Sequence, residues 1–214
     1  MTTRHLNSVD HTLIHFDQAL RTLFGQPQGT GRESPSKNVP VSELDNTART
    51  RAGRLMRVNH AGEVCAQALY QGQALTARSV EMRAQLEQSA REEGDHLRWC
   101  QGRLEELGAR KSLLNPLWYA GSLALGAAAG LAGDRWSLGF VVETERQVED
   151  HLDTHLTRLP PEDLRSRSIL GQMKADEIHH AQVAKTAGGA PLPRPLALAM
   201  KAASKMMTHG AYWV

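Results

Sequence analysis

Two motifs with the same spacing, Glu93-Gly-Asp-His96 and Glu177-Ile-His-His180, each place a glutamate three residues before a histidine. In a helix, three residues turn the side-chain direction by about 300°, so both side chains of each motif point nearly the same way. A carboxylate and an imidazole that converge on one point are typical metal ligands. One such motif proves little, because it is common on helix surfaces, but two indicate a shared site.

A lone glutamate precedes each motif at a similar distance. Glu63 lies 30 residues before Glu93, and Glu145 lies 32 residues before Glu177. The chain therefore holds two half-sites, each with a glutamate on one helix and Glu-x-x-His on the next, which is the ligand pattern of bundles that bind two metal ions through carboxylates. The predicted metal ligands, which are also the candidate catalytic residues, are Glu63, Glu93, His96, Glu145, Glu177 and His180.

The charges of this set explain how inward carboxylates are tolerated. An isolated buried carboxylate costs several kcal/mol or takes up a proton. Four carboxylates balance two divalent cations, and oxygen and nitrogen ligands without thiolate favour iron or manganese over structural zinc. A buried polar network without metal is the alternative reading of the same residues.

Helical periodicity selects among neighbouring acids. Glu145 falls within an apolar stripe, whereas Glu143 lies 200° round the helix on the polar side. In the last motif, Asp176 and His179 form a competing Asp-x-x-His one residue out of register, and only a preference for glutamate favours Glu177 and His180. His151 is six residues beyond Glu145, so we expect it to support the site from outside or to lie on the surface.

The elements that must position these residues are helices, because apolar residues recur every three to four positions and alternating β-branched runs are absent. The pattern predicts a short helix over 9–24, a Gly/Pro-rich flexible linker over 25–41, and four long helical segments, 43–77, 80–107, 134–158 and 162–187. We predict an all-α, ferritin-like four-helix bundle over 43–214, with a long apolar crossover and an additional C-terminal helix, preceded by an N-terminal region, 1–42.

Composition narrows the classes of function. The 25 basic and 23 acidic residues leave a formal net charge of +2, so we expect no nucleic acid partner. The two cysteines, Cys65 and Cys100, form no C-x-x-C pair and fit a reducing compartment. The first sixteen residues lack a continuous apolar core and a cleavage site, so we expect the protein to stay in the cytoplasm.

Four stretches together resemble the demethoxyubiquinone hydroxylase family, the ferritin-like diiron monooxygenases of ubiquinone biosynthesis. They are LMRVNHAGEVCAQALYQGQA at 55–74, EEGDHL at 92–97, VVETERQVEDHL at 141–152 and MKADEIHHAQVA at 173–184. The resemblance covers residues 43–214, and RVNHAGE is its most specific part. It implies the same six ligands and favours Glu177 and His180 over Asp176 and His179. This chain departs from the family at Leu152, where members often have a tyrosine.

The resemblance implies a reaction as well as a ligand set. Two iron ions per chain would be the cofactor and dioxygen the co-substrate. The substrate would be 2-polyprenyl-3-methyl-6-methoxy-1,4-benzoquinol, whose ring accepts one oxygen atom while the other leaves as water. Other proteins of ubiquinone biosynthesis are expected partners.

An apolar crossover gives the chain a segment that could meet such a lipid. Residues 117–133 carry no charge and are mostly Ala, Gly and Leu, at the short limit for crossing a bilayer of about 30 Å. The crossover either packs in the core, inserts at the membrane interface or spans the membrane. The C-terminal helix is amphipathic and basic. We expect a peripheral protein at the cytoplasmic face of the cell membrane.

Three other functions fit a pair of iron sites in a helical bundle. A ferritin-like ferroxidase would form a soluble shell and would need no apolar crossover. A rubrerythrin-like peroxidase usually carries an extra C-x-x-C iron site, which this sequence lacks. A quinone or lipid carrier with structural metal would bind quinone without turnover.

Overall fold

The computed structural model describes residues 8–214, which form helices joined by loops, with no strand in this part of the chain. The first seven residues of the predicted N-terminal region lie outside it. The helices are α1 (Ser8–Phe24), α2 (Asn46–Thr76), α3 (Val80–Glu106), α4 (Asn115–Leu131), α5 (Asp134–Arg158), α6 (Leu164–Thr186) and α7 (Arg194–Trp213). Each of the four predicted long segments is a helix, with bounds within three residues of those expected.

Local sequence sets the ends of these helices. The side chains of Asp45, Ser79 and Asp163 accept hydrogen bonds from the first-turn amides of α2, α3 and α6. Gly133, at φ 107°, separates α4 from α5 in a conformation that side-chain-bearing residues rarely adopt. These signals explain why the helices begin and end where the sequence predicts.

The bundle consists of α2, α3, α5 and α6. Along the chain, α2 packs against α3 and α5 packs against α6, while α3 also contacts α6. A core of aliphatic and aromatic side chains fills one end of the bundle, with Leu55, Leu104, Leu152 and Leu170 among its most buried members. The predicted all-α bundle is confirmed for the described part of the chain.

The apolar crossover is the helix α4, which lies along α2. Gly126 and Gly130 allow the two backbones to approach closely, since a Cβ atom on Gly126 would lie 2.2 Å from the carbonyl oxygen of Leu69. The other side of α4 exposes Leu117, Leu125 and Leu131. One face of α4 therefore packs against the bundle, and the opposite face is exposed to solvent. None of the helices described here is both long enough and apolar enough to cross a membrane.

The predicted linker follows α1 and contains no regular helix or strand before α2. It contacts the bundle at α3, where the amides of Thr30 and Gly31 each donate to the buried carboxylate of Asp95 at 3.2 Å. Farther along, Arg165 of α6 donates to the carbonyl of Val39 at 2.9 Å. The segment thus lies across the outside of α3 and α6.

Candidate metal centre

The six predicted ligands meet inside the bundle, although they come from four helices. One glutamate comes from α2 and one from α5, and a glutamate and a histidine come from each of α3 and α6. All six side chains are buried, and each is at most 5% exposed: Glu63, Glu93, His96, Glu145, Glu177 and His180.

These residues form two groups that share two members. Glu93 and Glu177 belong to both groups; Glu63 and His96 complete one, and Glu145 and His180 complete the other. Within each group, one ligand atom from every residue lies within 4.8 Å of the others. The sequence predicts the two half-sites, but the sharing of Glu93 and Glu177 appears only in the fold.

One nitrogen of each imidazole faces the carboxylates. The Nδ1 atom of His96 lies 3.0 Å from Glu93 Oε2 and 3.4 Å from Glu177 Oε1. The Nδ1 atom of His180 lies 3.1 Å from Glu93 Oε1 and 3.5 Å from Glu177 Oε2. Each histidine therefore presents Nδ1 to the two shared carboxylates.

The opposite nitrogens are held by two further acids. His96 Nε2 donates to Asp176 Oδ2 at 2.8 Å, and His180 Nε2 donates to Glu92 Oε2 at 2.7 Å. Arg32, from the linker, also pairs with Asp176 Oδ2 at 2.8 Å. A carboxylate that holds the Nε2 proton leaves Nδ1 as the nitrogen that can bind a metal, the arrangement that commonly orients metal-binding histidines.

Tyr70 fixes the carboxylate of Glu145, the predicted ligand on α5. The Tyr70 hydroxyl donates to Glu145 Oε1 at 2.5 Å, and both side chains are buried. This bond ties α2 to α5 beside the cluster. It also leaves the second oxygen of Glu145 available to a metal ion.

The electrostatics of the cluster favour the addition of positive charge. Burial, with the charge of Glu93, raises the pKa of Glu63 well above its usual range, and burial together with Glu177 and Glu93 does the same to the pKa of Glu145. Burial opposes protonation of His96, but the charge of Glu93 outweighs it and raises that pKa. Buried carboxylates that raise one another's pKa values are ones whose ionised form divalent cations would stabilise.

Several buried polar atoms at the centre lack hydrogen-bond partners. They are Glu63 Oε2, Glu93 Oε1, Glu177 Oε2 and His180 Nδ1. The last of these lies close to Glu93, but without acceptable hydrogen-bond geometry. Unsatisfied buried groups are costly, and their convergence on one point is what a metal site requires. The residues therefore fit a pair of divalent metal ions.

The competing candidates lie elsewhere. Glu143 is on the outside of α5, where it pairs with Arg146 at 2.8 Å. His179 is exposed, and Asp176 contacts His96 from outside the cluster. The structure thus groups Glu177 and His180 with the other predicted ligands, and leaves the Asp-x-x-His pair out.

His151 does not join the cluster. Its ring lies 3.9 Å from that of His155, whose Nδ1 atom contacts Asn59 Oδ1 at 2.9 Å. Burial lowers the pKa of His151 to about 4 and that of His155 to about 2, so both rings are neutral. Leu152, where the family often has tyrosine, packs in the apolar core.

Sequence reasoning did not predict the supporting roles of three residues, Glu92, Asp176 and Tyr70, although it named Asp176 as a competing ligand. Glu92 and Asp176 each directly precede a predicted ligand, and a one-residue step turns a side chain by about 100° to the flank of its helix. That position suits an acid that reaches the back of a histidine on the facing helix. Equivalent placement before Glu93 and Glu177 is the signal that could have identified them.

The fold and the paired Glu and Glu-x-x-His half-sites define a ferritin-like carboxylate bundle for two metal ions. A bacterioferritin-related dodecameric thioferritin from Bacteroides fragilis has a similar fold, with a TM-score of 0.51 and 20% identity over 63% of this chain and 82% of that chain. At that identity the likeness shows the fold alone.

Sequence comparison identifies the family. Residues 50–211 match the family model for ubiquinone biosynthesis protein COQ7. The chain is 56% identical to the 3-demethoxyubiquinol 3-hydroxylase of Nitrosococcus oceani over 214 residues, which is 100% of both chains. It is also 56% identical to the Nitrosomonas europaea protein of the same description, over 97% of this chain and 99% of that one. The chain belongs to the COQ7 family.

Proposed function

We propose that this protein is a 3-demethoxyubiquinol 3-hydroxylase, which hydroxylates the ring of 2-polyprenyl-3-methyl-6-methoxy-1,4-benzoquinol late in ubiquinone biosynthesis. The observation that carries the proposal is full-length similarity to hydroxylases of that description, joined to a buried cluster with the ligands for two metal ions. The enzyme is an oxygen-dependent monooxygenase.

The proposed cofactor is a pair of iron ions held by Glu63, Glu93, His96, Glu145, Glu177 and His180. Glu93 and Glu177 would help to hold both ions, because each belongs to both groups of predicted ligands. Bound iron supplies the redox chemistry that activates dioxygen, the proposed co-substrate. Six protein ligands for two ions leave coordination positions free.

The surrounding residues position the ligands and keep water out. Asp176 and Glu92 hold the two imidazoles with Nδ1 facing inward, and Tyr70 holds Glu145. Core side chains close the bundle around the cluster. A dry, prearranged site limits side reactions of the oxidant before it meets the ring.

The substrate has a polyprenyl tail, so we propose peripheral attachment to the cytoplasmic face of the cell membrane. The exposed face of α4 carries Leu117, Leu125 and Leu131, and α7 exposes Leu196, Leu198 and Met206. The start of α4 lies near the end of α7, where Trp118 and Met207 both pack against a small buried cluster that includes Ala211. We name these six exposed residues the apolar patch.

Basic residues on α7 lie beside the apolar patch. Arg194, Lys201 and Lys205 are exposed, and each would contribute roughly 1 kcal/mol of attraction to anionic lipid. Buried apolar area and this attraction together support interfacial rather than spanning attachment. The surface also offers a place for other proteins of ubiquinone biosynthesis to dock.

The reaction can be tested with purified, iron-loaded protein and the demethoxyquinol under air. We expect a product heavier by one oxygen atom, detected by mass spectrometry, with ¹⁸O from labelled dioxygen. Glu93→Ala should form no product and should contain less iron. Iron oxidation without any ring product would instead favour a ferroxidase, and tight quinone binding without turnover would favour a carrier.

A further inference from the structure

A cavity of about 540 Å³ lies between α1, α2 and α3, outside the group of predicted metal ligands. Its size is within the range of small-molecule sites, which is roughly 300–1,000 Å³. Residues of α1 form its outer wall, including His15, Gln18 and Thr22. The proposed function assigns no role to this cavity.

The floor of the cavity adjoins the metal centre. Gln67, in the cavity wall, lies one helical turn (about 6 Å) beyond Glu63 on α2. Ala90 lies three residues before Glu93 on α3. Tyr70 also lines the cavity, and its hydroxyl donates to Glu145. Gln67, Ala90 and Tyr70 form the floor of the cavity. Each lies one helical turn or one hydrogen bond from a predicted ligand.

A chain of hydrogen bonds fixes the polar side chains of this floor. The Tyr119 hydroxyl donates to Gln71 Oε1, and Gln71 Nε2 donates to Gln67 Oε1 at 3.2 Å. Gln67 Nε2 in turn donates to the carbonyl of Ala90. The two amides are therefore held in place before any ligand arrives, which reduces the entropic cost of binding one.

The rest of the lining suits an uncharged ring that carries oxygen substituents. Arg21, Arg83 and Arg91 face one acid, Glu87, so the cavity offers more hydrogen-bond donors than acceptors. Each arginine already has a partner: Arg21 pairs with Asp17, Arg83 donates to two backbone carbonyls and Arg91 donates to Gln88. Ile14, Ala74 and Leu75 add apolar surface.

From these observations we propose that the cavity binds the benzoquinol ring of the substrate, with Gln67 and Gln71 beside its oxygen substituents and α1 as the outer wall. The proposal rests on the proposed function, because it takes the substrate to be a quinol. It assigns α1, which lies before the part of the chain matched by the family model, a direct role in substrate binding.

The test fills the cavity from α1 without touching a predicted metal ligand. In Gln18→Trp, the indole would occupy space that the ring needs. The matched control is Leu20→Trp, which puts the same side chain on the exposed side of α1, away from the cavity. Binding of a short-chain, water-soluble demethoxyquinone is measured by isothermal titration calorimetry, and KM is measured with the corresponding quinol.

We expect Gln18→Trp to weaken binding and raise KM at least tenfold, with unchanged iron content and helicity, while Leu20→Trp matches the unmodified protein. His15→Trp, one turn earlier in the same wall, should repeat the result even if the first variant folds poorly. Unchanged affinity in both cavity variants would overturn the proposal.

Inorganic pyrophosphate distinguishes an anion site from a ring site. Pyrophosphate binding that Gln18→Trp removes, with quinone binding intact, would also overturn the proposal. The two proposals fail differently. If the unmodified protein hydroxylates the quinol but the cavity variants do so with unchanged KM, only the cavity assignment is wrong. If the unmodified protein forms no ring product, the proposed function is wrong.

Discussion

At the scale of single residues, small angular steps along a helix separate an acid inside the buried cluster from an acid outside it. Glu145 and Glu143 are two residues apart on α5, and a two-residue step turns the side chain by 200°. The structure places Glu145 in the buried cluster beside Tyr70, and Glu143 on the outside beside Arg146. The role of Glu145 as a metal ligand is a prediction that a conservative substitution can test.

Glu145→Gln should lower the iron content from about two ions per chain towards one and abolish hydroxylation, because it removes a ligand from only one of the two groups. Glu143→Gln, the matched control, should keep both iron and activity. Metal analysis after anaerobic ferrous loading checks both variants. Loss of iron in Glu143→Gln alone would mean that α5 is rotated from its described position.

The buried histidine pair predicts a dependence of stability on pH. Burial, with nearby His151 and Arg158, lowers the pKa of His155 to about 2, whereas an unfolded histidine titrates at about 6.5. At a pH between these two pKa values, the ring of His155 is protonated in the unfolded state and neutral in the folded state. His155 thus contributes stability that is present above pH 6.5 and is lost as the pH falls. From pH 7 to pH 5 the loss should be about 2 kcal/mol.

Urea unfolding at several pH values measures this effect. His155→Gln should flatten the dependence of the free energy of unfolding on pH by about that amount, because glutamine does not titrate. His179→Gln, at an exposed position, should keep the slope of the unmodified protein. An unchanged slope in His155→Gln would show that this ring does not stay neutral in the folded protein.

At the scale of helices, the apolar crossover is held by close backbone packing rather than by large side chains. Gly126 and Gly130 on α4 meet the backbone and Thr76 side chain of α2, and Gly72 on α2 meets α4 in the same way. This close contact between α2 and α4, which we call the seam, turns the opposite face of α4 towards solvent. Small residues in one stripe thus decide which leucines of α4 are exposed.

Gly126→Ala should destabilise the protein by about 1–3 kcal/mol, because the new methyl group overlaps the carbonyl of Leu69 and pushes the helices apart. Gly121→Ala is the control in the same helix, where an added Cβ meets nothing within 4 Å. It should stabilise by up to about 1 kcal/mol through helix propensity. Thermal and urea unfolding measure both, and equal effects would argue against the seam.

The apolar patch predicts reversible membrane binding. Leu117→Glu with Leu125→Glu should release the protein from anionic liposomes in a sedimentation assay, because both side chains are exposed on α4. Turnover of long-chain quinol should stop, whereas a short-chain soluble analogue should still react. Val41→Glu with Leu164→Glu adds the same charge at exposed apolar sites on other elements and should leave binding intact.

At the scale of the whole molecule, the candidate metal centre joins four helices that are separate along the sequence. Each of α2, α3, α5 and α6 supplies at least one predicted ligand, and Tyr70 and His155 add polar bonds between α2 and α5. A ligand that binds only the folded state stabilises it by mass action. Metal binding should therefore act on the entire bundle.

Removing metal with a chelator should lower the melting temperature, and anaerobic ferrous ion should restore it in a concentration-dependent way. A free ferrous ion concentration of 100 times the dissociation constant should stabilise the folded state by about 2.7 kcal/mol per site. Differential scanning calorimetry checks this. Glu177→Ala, which removes a residue shared by both groups, should abolish the shift, and a full shift in that variant would contradict the assignment.

The helices and the six inward polar residues could be predicted from sequence, although in the last motif only a preference for glutamate and the family resemblance favoured Glu177 and His180. Both follow from local rules: 3.6-residue periodicity identifies an inward face, and a three-residue spacing aligns two side chains on it. Capping residues such as Asp45 and Ser79 set helix ends through bonds to their own first turns. These properties depend on residues that are close along the chain, so they can be predicted from the sequence without knowledge of the fold.

The way the helices meet could not be predicted from sequence and appears first in the folded bundle. Glu93 and Glu177 are shared between the two groups because α3 faces α6, and Asp176 and Glu92 reach histidines 80 and 88 residues away for the same reason. The cavity beside Gln67 exists because α1 packs against α2 and α4 and leaves a space between α1, α2 and α3. Such contacts depend on the relative rotation and separation of helices, which side-chain packing sets and which no local spacing contains.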